Sequence, residues 1–187
     1  MRVGPTLKAL REKFPDQLRL AVKQHPLPFH KNAKLAARAA LAAHEQGKFW
    51  EYQDRLLQPK ADLGRDHLIT LAGELGLDVP RFTAAIDSDR LDKQIEAETA
   101  EAMAIGASGT PATFINGKKV NGAQPYASFE YEVRVALGEN PPRPTQPAPP
   151  KPSGPDPDKR YPIPVGKAPV IGPSNAQVTA ITFLDYQ

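Results

Sequence analysis

Apolar residues open the chain at helical spacing: Val3, Leu7, Leu10 and Phe14 make one stripe on a basic segment. The spacing predicts a helix over residues 1–14, with Pro5 in its first turn or kinking it and Pro15-Asp16 ending it. The period then changes. Leu18, Leu20 and Val22 alternate with Arg19, Ala21 and Lys23, which predicts a strand. His25-Pro26-Leu27-Pro28-Phe29-His30 cannot prolong a ladder, because two prolines remove donors, and is expected as a rigid extended connection.

Helical spacing returns for about 75 residues. Asn32 is placed to cap a helix over 33–46 that is rich in Ala, Leu, Arg and Lys, with Gly47 closing it. A second helix over 49–57 offers Phe49, Trp50, Leu56 and Leu57 for burial. Asp66 is expected to cap a third that ends near Gly76. A short fourth covers 79–86. A fifth covers 89–105, with Leu91, Ile95 and Met103 as core contacts.

Strand patterns resume at 112–115 and 119–121, joined through Asn116-Gly117, a strong hairpin signal. A last amphipathic helix over 125–137 carries Phe129, Val133 and Leu137 on one side. Thirteen of the 21 prolines then fall between Pro141 and Pro173. That density favours an extended left-handed coil with no core, a spacer more readily than a ligand for proline-reading domains. Val178 to Leu184 is rich in Ile, Val, Thr and Phe and reads as a buried strand.

Composition narrows the chemistry. A chain of 187 residues is long enough for one domain with a real core. It has no cysteine, so the chain as given holds no disulfide, thiolate metal site or thiol nucleophile. Net charge is +3, with nine Lys/Arg in residues 1–38 and thirteen acids in residues 45–101. These blocks read as solvated helix faces in internal balance. No basic stripe interleaved with aromatics points to nucleic acid. No apolar run of membrane-spanning length occurs, and residues 1–20 do not read as a signal peptide. His25, His30, His44 and His67 are read as structural or surface residues, since no metal-ligand spacing joins them. Ser108, Ser128 and Ser153 sit in no nucleophile-elbow pattern. No metal site, phosphate loop or cofactor is implied.

Several segments, in order, carry a family likeness. Arg2-Val3-Gly4-Pro5-Thr6-Leu7, Pro26-Leu27-Pro28-Phe29-His30-Lys31-Asn32-Ala33, Gly47-Lys48-Phe49-Trp50-Glu51 and Gly109-Thr110-Pro111-Ala112-Thr113-Phe114-Ile115-Asn116-Gly117 resemble the DsbA-like thioredoxin family. So does the tail from Ala168 to Gln187. In that family the tail segment comes first, then Cys-x-x-Cys, then the segment that opens this chain. The resemblance therefore implies an α/β thioredoxin fold with a helical insertion at about 32–106, permuted so that the first family strand lies at the C-terminus. The expected division is a domain body over 1–138, a Pro-rich linker over 139–167 and a returning central strand over 168–187. A circular permutation and a stretch excised from a tandem of such domains both give this order. About forty residues from Leu137 to Val178 reach on the order of 100 Å when extended, enough for the tail to return. A domain-swapped dimer is the alternative.

The resemblance implies a thiol–disulfide oxidoreductase acting on unfolded or thiol-containing polypeptides in the periplasm or cell envelope. In such enzymes a cysteine at a helix N-terminus is held as thiolate by the helix dipole and free N–H groups. Here the motif is missing between Tyr186 and Gln187 on one side and Met1 and Arg2 on the other, and the expected catalytic set is empty. The chain as given is expected to be redox-inactive. Thr110 and Pro111 are expected to form the cis-proline loop of a substrate groove, whose bared backbone can pair with an extended peptide. The alternative reading is a non-catalytic, chaperone-like peptide binder, its groove bordered by Tyr186 and Phe29. The buried acid found in many members falls on Thr182, which cannot titrate usefully. Asp185 is expected to be solvated or capping.

Overall fold

A computed structural model of the chain describes residues 3–58, 61–120, 122, 124–144 and 159–186. The helices and strands come in the order α1 (Val3–Lys13), β1 (Leu18–Gln24), α2 (Ala33–His44), α3 (Phe49–Leu56), α4 (Arg65–Glu74), α5 (Val79–Asp87), α6 (Asp92–Ala104), β2 (Ala112–Ile115), β3 (Lys118–Val120), α7 (Tyr126–Ala136), β4 (Val170–Ile171) and β5 (Val178–Leu184). The described residues cluster into two units. One holds residues 24–102 and 184–186, the other residues 3–23 and 103–183.

The first unit is the helical block. Alanine makes it possible: Ala36, Ala39, Ala40 and Ala43 of α2 are all buried, and so short a side chain lets α3, α4 and α5 pack close against it. Phe49, Tyr52 and Phe82 fill the space that the alanines leave. Four details depart from the sequence pattern. Asn32 stands at the N-cap of α2 but its side chain makes no capping hydrogen bond. The N-cap of α4 is Gly64, and Asp66 lies inside the first turn with its carboxylate in solvent, where the helix dipole favours it without a cap bond. A 3-10 turn, Asp89–Leu91, precedes α6. His25 to His30 is not extended throughout: the His30 N–H donates to the Leu27 carbonyl (3.1 Å), closing a turn.

The second unit is built on a five-stranded sheet of order β3-β2-β5-β1-β4. β5 is central. It runs antiparallel to β2, with Ala112 opposite Phe183, Thr113 opposite Thr182 and Ile115 opposite Ala180. On its other side the Val178 N–H donates to the Gln17 carbonyl at the start of β1, and the His25 N–H to the Leu184 carbonyl at the end. Start meets start and end meets end, so β1 and β5 are parallel. Both strands are buried along nearly their whole length, as a strand covered on two faces must be. α1 packs on α7, and Lys13 Nζ reaches Glu130 at 2.7 Å. Met103 is 56% exposed and makes no core contact, unlike Leu91 and Ile95, which are buried. The second hairpin strand covers Lys118–Val120; Asn121, expected to extend it, lies outside the described residues.

Two glycines let the segment that leads into β5 lie against the sheet. At Gly117 (φ +80°) a Cβ would meet the Tyr161 carbonyl oxygen at 2.3 Å. At Gly172 (φ +115°) it would meet the Leu18 carbonyl oxygen at 2.6 Å. The Tyr161 N–H donates to the Gly117 carbonyl (2.9 Å), and β4 pairs antiparallel with β1 through Leu20–Ile171 and Ala21–Val170.

Candidate functional site

In the first unit the sequence leaves β1 at Gln24 and β5 at Leu184, and the His25–Leu184 hydrogen bond holds the two exits side by side at 2.7 Å. The residues just beyond the two exits meet. Asp185 has 0% of its surface exposed, and its Oδ2 pairs with His30 Nδ1 on the turn after β1. The His30 side chain remains 23% exposed. The Phe29 ring stands edge-on to the His30 ring, centroids 4.5 Å apart, and is itself 74% exposed. Asp185 Oδ1 has no hydrogen-bond partner among the described residues. Asp185 is thus neither solvated nor a cap. Its carboxyl group is paired with one imidazole, because the parallel pairing of β1 and β5 delivers both residues to the same sheet end.

A second buried acid lies in this unit. Glu98 on α6 accepts the Gln24 N–H at 2.6 Å and the Gln94 amide at 2.9 Å. Tyr186 is buried, and burial pushes its hydroxyl well above the usual range; the Gln24 amide beside it works the other way without closing a hydrogen bond, and the nearby Glu98 and Asp185 carboxylates add to the rise. Tyr52 is pushed up in the same way, by burial first, and donates to the Leu68 carbonyl at 2.8 Å. Neither acid nor phenol in this group is a nucleophile for exchange. Burial holds both phenols neutral, so the two tyrosines offer no phenolate near neutral pH.

In the second unit the Thr110–Pro111 peptide bond is cis, directly ahead of β2, and both residues are half-buried. Lys119 Nζ donates to the Gly106 carbonyl at 2.7 Å, tying the hairpin to the loop that leads there, and burial lowers its pKa. Thr182 is fully buried, and its hydroxyl lies 3.1 Å from that of Thr113, so the position expected for an acid is a neutral hydroxyl pair. A pocket of about 250 Å³ lies between Arg19, Asn116, Tyr161, Ile163 and Thr179. The Arg19 guanidinium there is engaged by Thr179 Oγ1 at 2.8 Å and by the Ser174 carbonyl at 3.4 Å.

Of the residues expected to flank the missing motif, Tyr186 is placed and buried; Met1, Arg2 and Gln187 lie outside the described residues, as do residues 145–158 of the Pro-rich stretch. Among the described residues no three His, Asp or Glu side chains gather as metal ligands. Also among them, no helix is long and apolar enough to cross a membrane. Glu98 carried no sequence signal. It sits between Glu96 and Glu101 on an acid-rich helix, where a solvated reading is the natural one. The His30–Asp185 pair had one: each residue closely follows a strand with a buried pattern.

The model of the DSBA-like thioredoxin domain matches residues 7–134. A Na(+)/H(+) antiporter NhaA of Herminiimonas arsenicoxydans is 43% identical over 114 residues, covering 61% of this chain and 18% of that protein. A Na(+)/H(+) antiporter NhaA 3 of Salinispora tropica is 35% identical over 122 residues, covering 64% of this chain and 19% of that protein. The chain thus spans less than a quarter of the length of the curated relatives it matches. Among solved structures, a thioredoxin-like oxidoreductase from Silicibacter pomeroyi DSS-3 superposes with a TM-score of 0.57, at 18% identity, over 66% of this chain and 87% of that one. The fold is thioredoxin-like.

Proposed function

Since the chain belongs to the DSBA-like thioredoxin domain family, we propose that it is the scaffold of a thiol–disulfide exchange domain and carries none of the exchanging sulfur itself. The observation that supports this most directly is the family match over residues 7–134 in a chain with no cysteine. Met1 and Met103 are thioethers and cannot form a mixed disulfide. On this reading Thr110 and Pro111 belong to the substrate groove, and Tyr186, Gln187, Met1 and Arg2 border the place of the absent motif. The body over 1–138, the linker over 139–167 and the returning strand over 168–187 remain our division of the chain. The tail is the family's first strand carried at the far end. The substrates are polypeptides, and the workplace outside the cytoplasm is inferred from the family resemblance.

Insulin reduction with dithiothreitol as electron donor tests this. The chain as given should show no turnover above the uncatalysed rate. A variant extended by a Cys-x-x-Cys motif directly after Gln187 should acquire it. A folded variant that stays inert would remove the exchange-scaffold reading.

A second reading has an observation of its own. Phe29 is 74% exposed on a turn pinned by His30, and an apolar ring held out in this way suits an unfolded chain. A non-catalytic peptide binder should lose most of its affinity for a cysteine-free unfolded polypeptide when Phe29→Ser is introduced. Fluorescence anisotropy reads that directly.

A further inference from the structure

We propose that the segment from Arg160 to Tyr186 is an exchangeable insert whose partner is a second copy of this chain: in a pair, each tail fills the gap between β1 and β2 of the other. The tail has no sheet of its own. In the strand order β1 stands between β4 and β5, so neither tail strand pairs with the other. Its backbone hydrogen bonds to the body are spread along its length. The Tyr161 N–H donates to Gly117, the Val22 N–H to the Pro169 carbonyl (3.1 Å), the Val178 N–H to Gln17 and the Asn116 N–H to the Thr179 carbonyl (2.9 Å). The side chains repeat the pattern: the Thr179 N–H donates to Asn116 Oδ1 at 2.8 Å, and Arg19 Nε to Thr179 Oγ1 at 2.8 Å. The body, for its part, needs this strand. Without β5, β1 and β2 would face each other across a gap one strand wide, each with an unpaired edge.

Nothing in these contacts requires the tail and the body to be the same molecule. The covalent join between Pro144 and Lys159 is fourteen residues long in sequence, six of them proline. Its sequence reads as a spacer, and a segment joined through a spacer is held at an effective concentration on the order of 1 mM, so exchange between copies competes once the protein itself approaches that range. The exchange also divides the candidate site. His30 belongs to the body and Asp185 to the tail, so in the pair each buried carboxyl group is met by the other copy's imidazole.

The absence of cysteine gives a clean readout. Thr113 and Thr182 lie directly opposite each other, hydroxyls 3.1 Å apart. The variants T113C and T182C are unfolded together, refolded at about 1 mM and oxidised, with T113C/T182C refolded at about 10 μM as the one-chain control. The expected result is a covalent one-to-one pair of the two single variants, and an internal cross-link in the control. A control that closes while the mixed sample stays uncross-linked would overturn the proposal. So would a dimer, seen by light scattering, that does not cross-link. If sulfur cannot bridge even in the control, isotope-filtered NMR of a mixed-label sample at about 1 mM reads the neighbouring Ile115–Ala180 contact. A contact between copies supports exchange, and its absence there overturns it.

Discussion

His30 and Asp185 are unequal partners, and the inequality is measurable. The Asp185 carboxylate is fully buried, whereas the His30 ring reaches solvent. Removing the imidazole strands a buried charge; removing the carboxylate leaves a histidine that water can serve. His30→Ala should therefore destabilise by about 3 kcal/mol, and Asp185→Asn by about 1 kcal/mol. The double variant should be more stable than His30→Ala alone, and urea unfolding of the four proteins closes the cycle. A second pair adds a pH dependence. Arg38 grips Asp92 with two bonds of 2.6 Å, Lys34 adds one at 2.8 Å, and the hydrogen bond from Arg38 leads in holding the Asp92 carboxyl down at about 2. A carboxyl depressed in the folded state contributes stability above its unfolded value, near 4, and loses it as pH falls toward 2. Arg38→Ala should cost about 2 kcal/mol at pH 7. The deficit should shrink between about pH 4 and pH 2, because acid removes from the parent what the mutation has already taken.

At the scale of elements, the tail segment depends on the backbone of the hairpin more than on side chains. Gly117→Ala meets the Tyr161 carbonyl at well under van der Waals distance and also asks alanine to hold a positive φ. The cost should be about 2–3 kcal/mol, read as a lowered midpoint in thermal unfolding. Hydrogen exchange should quicken first at the Tyr161 amide, whose acceptor is the Gly117 carbonyl. The hairpin itself was legible from Asn116-Gly117, because few other dipeptides tolerate the positive φ found at both residues. α2 was legible for a related reason: alanine needs no tertiary help to favour a helix. Asp66 misled because an acid one turn into a helix and an acid at its cap look alike in sequence, and both suit the dipole. Met103 misled because spacing alone does not say which side of α6 faces solvent. Glu98 went unread because burying an acid depends on a donor, the Gln24 N–H, that stands 74 residues away.

For the molecule as a whole, the sheet and its inserted helical block could be read from alternating periods and from family order. The central place of β5 could not come from periodicity, since a buried strand shows the same pattern wherever it sits. It is settled by pairing on both sides, with Phe183, Thr182 and Ile181 opposite Ala112, Thr113 and Phe114 of β2, and Val178 and Leu184 bonded to Gln17 and His25 at the two ends of β1. The missing sulfur could be read from composition alone. For His30 and Asp185 the sequence showed only that each follows a buried strand; their meeting depends on two parallel strands ending together, 155 positions apart in sequence.

That central strand also sets an order of events during synthesis. A ribosome that has translated α7 has made ten of the twelve helices and strands described, and α2 to α5 can already find one another through nearby residues. The sheet has to wait. Arg19 meets Thr179 only after 160 further residues have been made, so β1 and β2 leave the tunnel long before the strand that separates them. Contacts of such high sequence separation form slowly, and the interval exposes two bare edges. Nascent chains halted when β2 has left the tunnel and β5 has not should therefore recruit holding chaperones at β1 and β2, and let go of them once Leu184 has emerged.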